Sequence, residues 1–125
     1  MPIDATLPYD DQNIFAKILR GEIPNNTVYE DEWALAFRDI NPQAPVHVLV
    51  IPRGAYVSWD DFSANGSDSE IAGFVRAVGK VARDLDLVES GYRLLANIGI
   101  DSHQEVPHLH VHLFGGKPLG PMLAR

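Results

Sequence analysis

The 125-residue chain has no cysteine. Disulfides, thiolate-bound zinc and cysteine nucleophiles are thereby excluded, and any chemistry must come from nitrogen and oxygen groups. Positive charge is scarce: 10 Lys and Arg stand against 17 Asp and Glu, a formal net charge of −7. Broad nucleic-acid binding relies on clustered cations, so no nucleic-acid partner is expected. A small anionic ligand stays open, because backbone amides or a few histidines can hold one locally. No run of about 18 apolar residues occurs, so no membrane partner is expected. The opening Met-Pro-Ile-Asp-Ala-Thr lacks a charged start and apolar run, so no signal peptide is expected and a cytoplasmic location is the default.

The length suits one compact domain with a core of its own. Residues 1–9 carry no pattern and read as a loose lead-in. Asp10 and Asp11 can cap a helix over 12–20, where Ile14, Phe15, Ile18 and Leu19 recur at helical spacing and Gly21 suits the exit. Strands are predicted at 27–29 and 33–38, around a Glu30-Asp31-Glu32 turn, and at 46–51, 92–97 and 108–114. Residues 58–68 read as a surface connection with a helical turn. Ser67 or Asp68 then caps the longest helix, 69–85, whose apolar stripe runs through Ile71, Phe74, Val75, Val78, Val81, Ala82 and Leu85. Two main helices and about five strands without βαβ alternation predict an α+β domain, an antiparallel sheet with its helices on one side. The expected layout is a lead-in (1–9), the domain (10–116) and a tail (117–125) too apolar for a solvated tag, which would contact a partner subunit.

Three of the five histidines fall at 108, 110 and 112. Alternate residues of a strand share a face, so the three imidazoles would project one way while Leu109, Val111 and Leu113 pin the strand to the core. A merely solvated face would use Thr, Lys, Glu or Arg; three rings that titrate near neutrality indicate a working site. Two chemistries fit. His-x-His can place two nitrogens on one metal ion, with His47, Asp39 or Glu105 as further donors. Alternatively, a neutral imidazole attacks phosphorus directly, giving a phosphorus–nitrogen intermediate that water then cleaves, with no metal or other cofactor.

The run His108-Leu109-His110-Val111-His112-Leu113-Phe114 resembles the alternating motif of the histidine triad family. The likeness extends to Asn13-Ile14-Phe15-Ala16-Lys17-Ile18-Leu19-Arg20-Gly21-Glu22-Ile23-Pro24, to the segment 36–52, and to Pro118-Leu119-Gly120-Pro121-Met122-Leu123, and it is with the bacterial Hint branch. The resemblance implies a homodimer with the sheet continued across its interface. It implies a purine nucleotide substrate, an AMP or GMP conjugate such as a phosphoramidate, cleaved at the α-phosphorus to release the nucleoside monophosphate. By the same resemblance His110 would be the nucleophile, His112 would serve the phosphoryl and leaving groups, His108 would orient its neighbours and His47 would complete the cluster. Asp39 would accept from the ribose hydroxyls. Ile14, Phe15, Ile18, Ile23, Phe37 and Ile40 would form the base slot. Asn97 would lie beside the phosphate, with backbone amides from the loop 103–106, Gln104, Glu105 and Val106 among them.

The sequence departs from that pattern just before the triad, where Ser102-His103-Gln104-Glu105 replaces a Gly-Gly-Gln run and Pro107 removes a backbone donor. Two further activities fit the same residues: a dinucleoside polyphosphate hydrolase, as in the fragile histidine triad branch, and a nucleotide sensor or interaction protein whose turnover is incidental.

Overall fold

The computed structural model describes residues 2–124. Five strands form one antiparallel sheet: β1 (Thr27–Glu30), β2 (Ala34–Arg38), β3 (Val46–Pro52), β4 (Arg93–Leu95) and β5 (Val111–Gly115), in the order β1-β2-β3-β5-β4. The helices are α1 (Ile14–Leu19), α2 (Trp59–Asn65) and α3 (Asp68–Asp84). The α+β class, the antiparallel sheet and the two expected helices are all present, and the connection at 58–68 forms a third, short helix.

Strand alternation sorts the core into two layers. Ala34, Ala36, Val48, Val50, Leu109, Val111 and Leu113 face α3 and are joined by its Phe74, Ala77, Val78, Val81 and Ala82. The opposite face carries Leu35, Phe37, Leu49 and Ile51, covered by Phe15 and Ile18 of α1. The expectation of helices on one side is therefore corrected. The short α1 has an apolar face of its own, and the sheet's second row of large apolar residues needed a cover. Val75, counted in the stripe of α3, is exposed. A methyl group on Gly73 would come within 2.2 Å of the Trp33 ring, so α3 is glycine where the indole lies against it.

Local chemistry sets the ends of the elements. Asn13, not Asp10 or Asp11, caps α1: its side chain accepts from the Ala16 amide, while Asp10 accepts from the Gln12 amide. Gly21, at φ +80°, closes that helix with its amide on Ile18 and the Glu22 amide on Lys17, the paired bonds of a Schellman end. Ser67 and Glu70 form a capping box on α3. Asp31 accepts from the amides of Trp33 and Ala34 and so builds the β1–β2 turn.

The lead-in is anchored rather than loose. The Ile3 amide donates to the Gln104 carbonyl, and the Tyr9 hydroxyl lies 2.6 Å from His108 Nδ1.

Candidate active site

Of the predicted strand 108–114, only the part from Val111 joins the ladder. The register pairs Val50 with Val111, and its continuation would set Pro52 opposite Leu109. Pro52 has no N–H to offer. Its carbonyl is taken instead by His108 Nε2 at 2.9 Å, and the Leu109 amide turns to the Tyr56 carbonyl. His112 therefore sits in the sheet, whereas His108, at a bend, and His110 precede it.

The hydrogen bonds assign each ring its protons, because a carbonyl can only accept and an amide can only donate. His108 must carry hydrogen on Nε2 to reach Pro52, which leaves Nδ1 to accept the Tyr9 hydroxyl. His110 Nδ1 lies 2.8 Å from the His108 carbonyl, so it bears the hydrogen and Nε2 keeps its lone pair. The Gln43 amide donates to His47 Nδ1 at 3.1 Å, so the His47 hydrogen is on Nε2. That hydrogen is directed at His112 Nδ1, 2.9 Å away, which leaves His112 with its own hydrogen on Nε2. Among the described residues, no buried side-chain nitrogen or oxygen lacks a partner. The two nitrogens outside this network, His110 Nε2 and His112 Nε2, are one acceptor and one donor.

Burial keeps these rings neutral. It lowers the pKa of His108 from 6.5 to about 4, with a smaller push from His110 and with the Pro52 carbonyl acting the other way. Burial also lowers His112 to about 4, helped by its neighbours His110 and His47 and opposed by Asp39. His110 and His47 move in the same direction for the same first cause. A neutral His110 has a nucleophilic nitrogen available at physiological pH without a separate base.

Other expected residues divide. Phe15, Ile18 and Phe37 are buried together, with Ile23 and Val106 packed against them. The Phe15 ring stands edge-on to His110, with centroids 5.0 Å apart. Ile14 and Ile40 lie outside this cluster; Ile40 is 92% exposed on the loop after Asp39. Asp39 does two things. One carboxylate oxygen closes its own turn by accepting from the Asn41 amide, and the other lies 3.4 Å from His47 Nε2. Asn97 lies two residues beyond β4, whose register ends with Leu95 opposite His112.

Gln104 is spent on the fold. It is 1% exposed, its amide nitrogen donates to the Val57 and Val106 carbonyls, and its side-chain oxygen accepts from the Gly99 amide. The backbone amides of His103 and Gln104 already bond Ile100 and Gly99, so only Glu105 and Val106 remain as amide donors in this loop among the described residues. His103 is exposed and holds φ +59°, a left-handed conformation that glycine adopts more readily. Sequence reasoning missed Tyr9 and Phe114. The Phe114 ring packs on His47 at 4.3 Å and stacks with His112 at 5.7 Å. Its position two residues beyond His112 was the available signal.

Metal binding was weighed from the sequence with Asp39, His47 and Glu105 as donors. One ligand atom each from Asp39, His47 and His112 lies within 4.8 Å of the others. The His47 and His112 nitrogens of that group are bonded to each other, and a cation there would displace the hydrogen between them.

Comparison with known proteins places these features in context. The HIT domain family model matches residues 20–119. An uncharacterised 13.2 kDa HIT-like protein of Azospirillum brasilense is 62% identical over 117 residues, 94% of this chain and 96% of that protein. The purine nucleoside phosphoramidase of Escherichia coli K12 is 45% identical over 114 residues, 91% of this chain and 95% of that enzyme. A solved HIT family hydrolase from Clostridium thermocellum superposes with a TM-score of 0.82 at 41% identity, covering 92% of this chain and 99% of that one.

Proposed function

The chain belongs to the histidine triad (HIT) family, and from that premise we propose that it is a nucleotide hydrolase acting on purine nucleoside phosphoramidates through a nucleotidyl-His110 intermediate. The observation that carries the reading is the opposite protonation of the two outward ring nitrogens. His110 Nε2 has the lone pair that attacks the α-phosphorus, and the leaving group departs as the new phosphorus–nitrogen bond forms. His112 Nε2 has the hydrogen that supports a phosphoryl oxygen. The negative charge of a bound phosphoryl group raises the proton affinity of the paired His47 and His112 rings, which take up one proton from water and pass one from His112 Nε2 to the departing amine. Water then attacks the intermediate and releases the monophosphate. Asp39 holds the ribose, and the layer around Phe15, Ile18, Ile23 and Phe37 borders the base. The sequence and the HIT relatives favour the phosphoramidase reading, and the dinucleoside polyphosphate hydrolase is the alternative that substrate comparison separates.

The test is release of AMP from an adenosine phosphoramidate in excess chelator, alongside a diadenosine polyphosphate. Rapid chelator-resistant release from the phosphoramidate is expected, with slower cleavage of the polyphosphate. Added zinc should inhibit by occupying the His47–His112 pair. Activity that requires zinc would replace the nucleophilic mechanism with a metal-assisted one.

A homodimer also belongs to this reading. The edge strand β4 exposes Tyr92 and Leu94 at and beside it, and these border an apolar groove of about 530 Å³ with Trp59, Val75, Val78 and Ile98. A second copy would cover this groove and extend the sheet at β4. Wild-type protein is expected to sediment at twice the chain mass, and Leu94→Lys to shift it to the monomer, because a charge at the seam would lose its water. A wild-type monomer at micromolar concentration would remove the dimer from the proposal.

A further inference from the structure

The structure assigns Tyr9 as a positioning residue of the nucleophile, acting through the buried ring of His108. The inference rests on His110 being the nucleophile. Tyr9 lies 99 residues from His108 in sequence and belongs to none of the strands or helices. Its hydroxyl is 2.6 Å from His108 Nδ1, and the two rings meet edge-on with centroids 5.6 Å apart.

The argument is one of satisfied valences. His108 is 0% exposed. A neutral imidazole has one N–H and one lone pair, and here the Pro52 carbonyl demands the N–H on Nε2. A bare Nδ1 in the interior would then be a buried acceptor without a donor. The Tyr9 hydroxyl supplies that donor. Burial pushes the Tyr9 phenol pKa up, so the hydrogen stays on the oxygen. With both nitrogens held, the ring has one tautomer and one orientation.

The link to His110 is short. The carbonyl of His108 accepts from His110 Nδ1, which is what leaves Nε2 as the attacking nitrogen. This segment precedes β5 and lacks the ladder bonds that fix His112. Its position depends on the Leu109 amide bond to Tyr56 and on the His108 ring. Removing the phenol oxygen leaves Nδ1 a buried acceptor without a donor, and the ring that anchors the carbonyl orienting His110 is then held by the Pro52 bond alone.

Tyr9→Phe removes the hydroxyl and keeps the ring. Nitrogen-15 NMR of the histidine side chains in the native protein is expected to show hydrogen on His108 Nε2 and on His110 Nδ1. In Tyr9→Phe the His108 Nδ1 resonance is expected to shift as its hydrogen-bond donor is lost, while Nε2 keeps its hydrogen for the Pro52 carbonyl. With an adenosine phosphoramidate, kcat is expected to fall about tenfold with KM changed less than about twofold, since orientation and not binding is lost. A native His108 with its hydrogen on Nδ1 would overturn the assignment without any variant. So would a Tyr9→Phe protein with wild-type kcat, or one with reduced kcat and unchanged ring nitrogens. If the wild type releases no AMP, it is the proposed function that fails, and the ring-nitrogen shifts, which need no substrate, still decide the role of Tyr9.

Discussion

His110→Ala is expected to lose AMP release by about 10⁴-fold or more while still binding nucleotide, because it removes the one lone pair the site presents. The neighbouring rings cannot substitute. His108 has both nitrogens engaged, and His112 offers an N–H rather than a lone pair. The mutation leaves Asp39 and the apolar layer intact, so affinity for AMP should change little. His112→Ala removes a supporting donor and is expected to cost less, on the order of 10²- to 10³-fold. Rapid denaturing quench adds a second reading: wild-type protein should carry a nucleotidyl group during turnover and His110→Ala should carry none. Turnover near the wild-type rate in His110→Ala would end the covalent mechanism. Retention of the cellular phenotype by an inactive, well-folded His110→Ala would instead favour a sensor or interaction role.

The second large effect is on stability. His108 has an ordinary pKa of 6.5 when unfolded and about 4 when folded, because burial disfavours its charged form. Between those values the unfolded chain binds the proton and the folded one does not. Stability from this residue is therefore complete above about pH 6.5 and is lost as the pH falls toward 4, by roughly 3 kcal/mol. His112, His110 and His47 are lowered as well and act in the same direction. Urea unfolding at about pH 7 and about pH 4 measures the loss, and His108→Asn isolates the contribution of this ring. The wild type should lose roughly 3 kcal/mol more than the variant over that interval. Equal losses would mean that the His108 ring is charged in the folded protein.

Periodicity carried the fold a long way. Alternation in the triad segment located the row of rings, and the spacing of Phe74, Val78, Val81 and Ala82 located α3. Periodicity could not tell which side α1 would take, since Phe15 and Ile18 fit either face of a sheet. It also ran the last strand three residues too early, because the interruption comes from Pro52 on the neighbouring strand. The loop residue Gln104 looked like a phosphate neighbour, yet its side chain holds Gly99, Val57 and Val106 together. Tyr9 carried no local signal at all. Its only distinguishing property is a bond to a residue at the other end of the chain, and such pairings have no signature in one sequence.

Pro52 has a consequence for anyone copying this site. Three histidines on an uninterrupted strand would be equivalent: equally spaced, equally hydrated and titrating together, each competing for the same role. The missing hydrogen on one proline breaks that symmetry. It turns the first ring inward as a strut, leaves the second on a looser stretch of chain with its lone pair outward, and keeps the third in the ladder. A graft of the motif onto a regular hairpin would reproduce the spelling and lose the division of labour, unless the adjoining strand also stopped donating at the same rung.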